Sequence, residues 1–254
     1  MALSVNLNKV ALVRNSREGD SPSVVRAAET VLAAGAHGIT VHPRPDQRHI
    51  RPSDVTGLVA LLRGYPGIEI NIEGNPFAGP RDNGYPGFDA LIETARPHQA
   101  TLVPDDDNQL TSDHGFDLTG DNAALAEKIA RYQGLGARVS LFMDPTLEQI
   151  ALAKDIGTDR IELYTGPFAA TVKTLGIDHD DSVASLETYL HAARYASQLG
   201  LGVNAGHDLD LENLKLFRQI TEVSEVSIGH ALITTALERG LSETVRAFLK
   251  VLAG

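Results

Sequence analysis

Short apolar runs recur along the chain, separated by longer stretches whose apolar positions fall at helical spacing. Eight runs read as strands: Leu3–Leu7, Gly38–Val41, Ile68–Ile72, Ala100–Val103, Arg138–Phe142, Arg160–Leu163, Gly202–Asn204 and Val223–Ile228. The stretches between and after them predict amphipathic helices. These cover Val24–Ala34, Asp54–Leu62, Phe88–Thr94, Asn122–Tyr132, Thr146–Asp155, Ser182–Gln198, Asn213–Ile220 and Ser242–Leu252. Ser21-Pro22 and Asp144-Pro145 each read as an N-cap followed by Pro at the first helical position. Gly-containing turns, such as Ala34-Gly35-Ala36 and Leu199-Gly200-Leu201-Gly202, end helices and feed the next strand. Eight strand–helix units in 254 residues is about 32 residues per unit, the dimension of a closed (β/α)8 barrel. The chain therefore reads as one barrel domain over residues 1–254. An open doubly wound sheet is the alternative, and it fits less well because no Gly-x-Gly-x-x-Gly follows the first run.

Composition narrows the function. Hydrophobic residues are 43% and charged residues 22%, an ordinary globular balance. The net charge of −11 lacks the basic footprint of a nucleic-acid binder, although a basic pocket for a small anion can sit on an acidic protein. With no Cys, disulfides, zinc thiolates and a thiol nucleophile are excluded. No apolar run approaches the roughly 18 residues of a membrane span. The N-terminal Met1-Ala2-Leu3-Ser4-Val5-Asn6 has neither the charged nor the long apolar part of a signal peptide, so the expected location is cytoplasmic.

Active sites of such barrels lie at the C-terminal ends of the strands. Those positions are polar here. Asn6, Asn8, Lys9, Arg14 and Arg17 follow the first run, and His42, Arg44, Arg48 and His49 the second. The later runs bring Glu73, then Asp105, Asp144, Glu162, Tyr164 and Thr165. The last two end in Asn204, Gly206 and His207, and in Gly229 and His230. Any one of these is readily a satisfied strand-end residue, but the whole set in an enclosed mouth would cost free energy unless it served a purpose. Gly206-His207 and Gly229-His230 suit a phosphate bound by backbone N–H groups and a helix N-terminus. Arg17, Arg44 and Arg48 suit a second anion. His37 and His98 precede strands and read as structural, and His114, His179 and His191 carry no assigned role. Glu73, Asp144, Glu162 and His207 also allow a divalent-metal reading, without a local His-Glu-x-x-His or His-x-His motif.

At these residues the chain resembles the pyridoxine 5′-phosphate synthase family. The resemblance spans essentially all of it. It rests on Val5-Asn6 with Arg14-Asn15-Ser16-Arg17, and on Gly38-Ile39-Thr40-Val41-His42-Pro43-Arg44 followed by Arg48-His49-Ile50. Asn71-Ile72-Glu73, Leu102-Val103-Pro104 and Ser140-Leu141-Phe142-Met143-Asp144 continue it. Ile161–Gly166, Val203-Asn204-Ala205-Gly206-His207 and Ile228-Gly229-His230-Ala231 complete it. Each piece is moderately specific, and eight in order are strongly so.

The resemblance implies a (β/α)8 barrel assembled as a homo-octamer (a tetramer of dimers). The implied reaction condenses 1-deoxy-D-xylulose 5-phosphate with 3-amino-2-oxopropyl phosphate, without metal or organic cofactor. It implies His42 as general base, Glu73 as general acid/base and His207 as proton donor. Asn6, Arg17, Arg44, His49, Thr111, Gly229 and His230 match substrate-contacting positions.

The chain departs from the family pattern at several points. Asn8-Lys9 replaces an Asp-His pair that touches substrate, so these two are expected in the same binding region. Asp106-Asp107 replaces a basic pair, and Thr234-Thr235 a Gly-Arg. Asp208 replaces a Gly, which puts a carboxylate near an expected phosphate site. The loop Gly74–Gly87 is longer than usual and reads as a lid or a subunit contact. Two other functions stay open on these residues, a metal-dependent barrel enzyme acting on a sugar phosphate and a non-catalytic binder of a phosphorylated ligand.

Overall fold

The computed structural model describes residues 1–254. Eight parallel strands close in sequence order, with β8 pairing back onto β1. They are β1 (Ala2–Asn6), β2 (Gly38–Val41), β3 (Glu69–Gly74), β4 (Gln99–Leu102), β5 (Arg138–Met143), β6 (Arg160–Tyr164), β7 (Gly202–Gly206) and β8 (Val223–Ile228). Each predicted run coincides with one of them to within two residues at either end.

The outer layer comprises α1 (Asn8–Asn15), α2 (Val24–Ala33), α3 (Pro52–Leu62), α4 (Phe88–Ala95), α5 (Ala123–Gly134) and α6 (Leu147–Asp155). It continues with α7 (Gly166–Leu175), α8 (Asp180–Gln198), α9 (Leu214–Phe217), α10 (His230–Arg239) and α11 (Leu241–Ala253). Most of the helices bury one largely apolar stripe. In α2 that stripe is Val24, Ala27, Ala28, Val31 and Leu32, the i, i+3, i+4, i+7, i+8 spacing of a helix lying on a sheet.

The period of two along a strand sends alternate side chains to opposite faces. Leu3, Val5, Ile39, Val41, Ile70 and Ile72 belong to the buried apolar core, into which the helix stripes pack. The alternate positions fill the barrel lumen, and they are polar. Ser4 and Thr40 share a hydrogen bond of 2.7 Å, and Thr101 donates to Asn71 at 3.0 Å. Asn204 on β7 donates to Gln99 on β4 at 3.2 Å, which joins strands that are not neighbours and so crosses the lumen. Polar groups removed from water need such partners. The N-terminal end of the barrel is closed by ion pairing of Arg138 with Glu69 and by Arg160 donating to Asn204 at 2.9 Å.

Several local expectations are corrected. Ser21-Pro22 is not a cap: Ser23 caps α2, its hydroxyl accepting the Arg26 N–H at 3.3 Å, and Ser21-Pro22 is a cis peptide ahead of it. Asp144-Pro145 likewise precedes the helix start, since Thr146 is the N-cap of α6. The pattern missed α1, α7 and α10, each of which begins at or just beyond a polar strand end. His37 and His98 are structural as expected. Their Nδ1 atoms accept the N–H groups of Leu3 (3.1 Å) and Ile70 (3.2 Å), which fixes the strand entries. His179 caps α8, accepting the Asp181 N–H at 3.1 Å. No helix is long and apolar enough to cross a membrane.

Candidate active site

A polar cavity of about 360 Å³ opens at the C-terminal end of the barrel. It gathers Asn6, Asn8, Lys9, His42, Arg44, His49, Glu73, Thr111, His207, Asp208, Gly229 and His230. Every residue that the resemblance matched to a catalytic or substrate-contacting position lines this one cavity except Arg17, which is exposed beyond the end of α1 and outside this chain's own cavity. Of the other expected mouth residues, Arg14, Asp105, Asp144, Tyr164, Thr165, Asn204 and Gly206 do not line it. Arg48, Phe142, Glu162 and Ser227 complete much of the wall.

The strands place the reactive groups through the same alternation that makes the lumen polar. His42 follows β2 in register with Thr40, and Glu73 stands two residues beyond Asn71 on β3. His42 Nδ1 lies 3.9 Å from Glu73 Oε2, and its Nε2 lies 3.4 Å from Asp105 Oδ2. Burial pushes Glu73 up to about 8, reinforced by the negative charges of Asp105 and Glu225. Burial also lowers His42 to about 3, helped by the cations of Arg44 and Arg48. The short approach of His42 to two carboxyl groups would favour an imidazolium if both were ionised. Desolvation outweighs that attraction because Glu73 is itself kept protonated, so near neutral pH a neutral imidazole faces a neutral acid. A neutral imidazole is a competent base and a protonated carboxyl a competent acid.

Neighbouring groups hold this pair in place. Asn6 donates to Glu73 Oε2 at 3.3 Å, and its carbonyl accepts the Asn8 N–H at 3.0 Å. Asn8 in turn accepts the His42 backbone N–H at 2.9 Å. His49 packs edge-on to His42 with centroids 6.3 Å apart, and its Nδ1 accepts the Ile50 N–H at 2.9 Å. Burial, with the cationic neighbours next, lowers His49 to about 3 as well. Gly229 packs closely on the same group, since a Cβ there would stand 3.1 Å from the Asn6 side chain.

Arg44 and Arg48 serve the segment 104–121, which follows β4 and covers the cavity. Arg44 pairs with Asp105 at 2.7 Å and donates to the carbonyls of Asp106 and Gln109. Arg48 donates to the carbonyls of Asp107, Gln109 and Leu110. The long loop after β3 braces the same segment, through Asn75 donating to the Asp105 carbonyl and an Arg81–Asp107 ion pair at 2.9 Å. Thr111 is thereby brought to His207, with Oγ1 2.9 Å from Nε2.

Glu162 is the functional candidate that the site reading of the sequence missed. The sequence placed it at the mouth, among the polar strand ends, but gave it a role only as a carboxylate of the metal alternative. Its carboxyl is buried, one oxygen has no partner, and burial above all, with the competing carboxyl of Glu73 next, raises it well above the carboxylate range. A Cβ on Gly206 would run into it. The available signal was register: Arg160, Glu162 and Tyr164 alternate with Ile161 and Leu163, so Glu162 faces the lumen. No three His, Asp or Glu side chains converge as a metal-ligating group, and Asp144 instead accepts the Gly115 N–H at 3.2 Å.

A closed (β/α)8 barrel with buried acid and base groups at the C-terminal mouth defines a barrel enzyme built for proton transfer. The chain belongs to the family described as pyridoxal phosphate biosynthesis protein PdxJ, whose profile matches residues 3–254. It is 56% identical over 253 residues to the pyridoxine 5′-phosphate synthase of Xanthomonas campestris pv. campestris (strain B100), covering 99% of this chain and 96% of the relative. The pyridoxine 5′-phosphate synthase of Xylella fastidiosa (strain 9a5c) is 54% identical over 252 residues, covering 98% and 94%. Among solved structures, the triosephosphate isomerase of Bartonella henselae superposes with a TM-score of 0.56 at 10% identity, covering 100% of this chain and 99% of that one. That likeness concerns the barrel fold alone.

Proposed function

We propose that the chain is a pyridoxine 5′-phosphate synthase, joining 1-deoxy-D-xylulose 5-phosphate and 3-amino-2-oxopropyl phosphate with loss of phosphate and water. The observation that carries this reading is the convergence of His42 and Glu73, 3.9 Å apart, with His207 on one buried cavity at the barrel mouth of a member of this family. Amine and ketone condense to an imine, water leaves, one phosphate is eliminated, and an aldol-like closure completes the ring. Each step moves a proton near neutral pH. His42 takes protons as the base, and Glu73 gives and recovers them. His207 supplies the proton to a departing oxygen. Glu162, held protonated, donates a hydrogen bond where negative charge develops.

Two anions need two sites. The N–H groups at the start of α10, with Gly229 as N-cap and His230 beside it, suit one phosphate. Lys9, Arg44 and His49 suit the other substrate, with Asn6, Asn8 and Thr111 as polar contacts. The carboxylate of Asp208 lies beside this region. No metal or organic cofactor takes part in the proposed scheme. The assembly is a homo-octamer of the cytoplasm, so sizing should give roughly eight times the chain mass of 27.2 kDa.

The test is kinetic. His42→Ala, Glu73→Gln and His207→Ala should each lower kcat by about 100-fold or more while circular dichroism stays unchanged. Full activity in any one of the three folded variants would remove that residue from the scheme.

A further inference from the structure

Downstream of β7 the backbone takes two successive left-handed positions without a glycine. His207 has φ 86° and Asp208 φ 61°. Such conformations persist only where the surroundings over-determine them, and they gather at functional sites. The surroundings here do so. The Thr165 hydroxyl lies 2.7 Å from the Gly206 carbonyl and 2.5 Å from that of His207, and the Asn213 amide donates to the Asp208 carbonyl at 3.0 Å. The Tyr164 ring packs edge-on against the imidazole at a centroid distance of 5.2 Å.

The outcome of this turn is a chain of three side chains. Asp208 Oδ2 lies 2.9 Å from His207 Nδ1, and Thr111 Oγ1 lies 2.9 Å from His207 Nε2. The hydrogen bond from His207 holds the Asp208 carboxyl below the usual carboxylate range, so it is ionised and only accepts. The proton on Nδ1 is thereby assigned, and Nε2 is left as the nitrogen that takes up a proton at the cavity and then, as imidazolium, delivers it to the departing oxygen.

We propose that Asp208 is a positioning residue for His207, fixing the Nδ1–H tautomer and the ring orientation so that Nε2 serves the reaction. The carboxylate is not a phosphate contact in this arrangement; it acts through the imidazole. Its effect on turnover rests on the synthase reading above, while its effect on the tautomer does not.

A glycine adopts φ 61° without strain, so Asp208→Gly separates a structural from a positioning role. If Asp208 only shaped the turn, the variant would keep its kcat and lose no thermal stability. The proposal predicts that stability holds or rises, that KM stays within about twofold, and that kcat falls more than about fivefold, with Asp208→Glu recovering part of the loss. A smaller fall in kcat overturns the kinetic part.

The second readout needs no activity. In protein labelled with 15N-histidine, magic-angle-spinning spectra should show a protonated Nδ1 for His207 in the unmodified chain and a mixture of tautomers in Asp208→Gly, with the resonance assigned by its loss in His207→Gln. An unprotonated Nδ1 in the unmodified chain, or identical spectra for the two proteins, overturns the proposal. An unmodified enzyme that makes no product would instead count against the synthase reading, and the spectra would still decide the role of Asp208.

Discussion

His42 and Glu73 sit 3.9 Å apart and owe their chemistry to burial rather than to attraction. Both shifts disfavour the charged form, and their consequences for stability have opposite signs along the pH axis. Glu73 keeps its proton in the folded state up to about 8 but loses it near 4.5 when unfolded, so it removes stability progressively as pH rises through that window. His42 stays neutral in the folded state down to about 3 but binds a proton near 6.5 when unfolded, so it removes stability as pH falls through that window. Glu73→Gln, which cannot ionise, should therefore gain melting temperature relative to the unmodified protein, by more at pH 8 than at pH 5. Thermal melts at the two pH values check this, and a constant difference would show that Glu73 is not held protonated. Gly206→Ala should lower stability by about 1–3 kcal/mol, read by denaturant titration, because its methyl group meets the Glu162 carboxyl. The residues that the sequence made legible, His42, Glu73 and His207, each close an apolar run. Arg17 lies past the end of α1 and outside this chain's own cavity, a placement that strand-end position alone does not indicate.

At the scale of elements, the strands were legible because their outward faces are apolar throughout and mostly branched aliphatic. The missed helices α1, α7 and α10 begin among the polar residues of the mouth, where periodicity competes with site chemistry. In α1 the buried positions are Val10, Ala11 and Arg14, a stripe in which the third member is a cation. Arg14 pairs with Asp54 at the start of α3 at 2.5 Å and donates to the His49 carbonyl at 2.9 Å, tying two elements beneath the site. Arg14→Met would leave the Asp54 charge buried and unpaired, and denaturant titration should show a loss of about 3–5 kcal/mol. The long loop after β3 was read as a lid or a subunit contact. Within this chain it acts as a brace, joined to the covering segment by the Arg81–Asp107 pair. If that pair sets the cover, Arg81→Asp should raise KM and the double variant Arg81→Asp with Asp107→Arg should restore it. A double variant as poor as the single one would assign the loop another role.

The whole molecule reconciles a net charge of −11 with a pocket for anions by segregating charge. The cations Lys9, Arg44 and Arg48 meet at the mouth. The lumen below carries hydroxyl, amide and ion-paired groups in place of a purely aliphatic filling. This is where the sequence said least. A lumen contact such as Asn204 to Gln99 joins residues 105 positions apart, and only barrel closure brings them together. Closure itself followed from the count and spacing of the runs, and the family from eight short segments in order.

The central claim is that this cavity performs a proton-transfer condensation of two phosphorylated substrates. Its most direct test is to incubate the purified protein with 1-deoxy-D-xylulose 5-phosphate and 3-amino-2-oxopropyl phosphate, with and without EDTA, and to follow pyridoxine 5′-phosphate by absorbance and mass. Product at equal rates in both reactions, abolished in Glu73→Gln, is the predicted result. Folded protein that forms no product, or that forms it only without the chelator, would contradict the account.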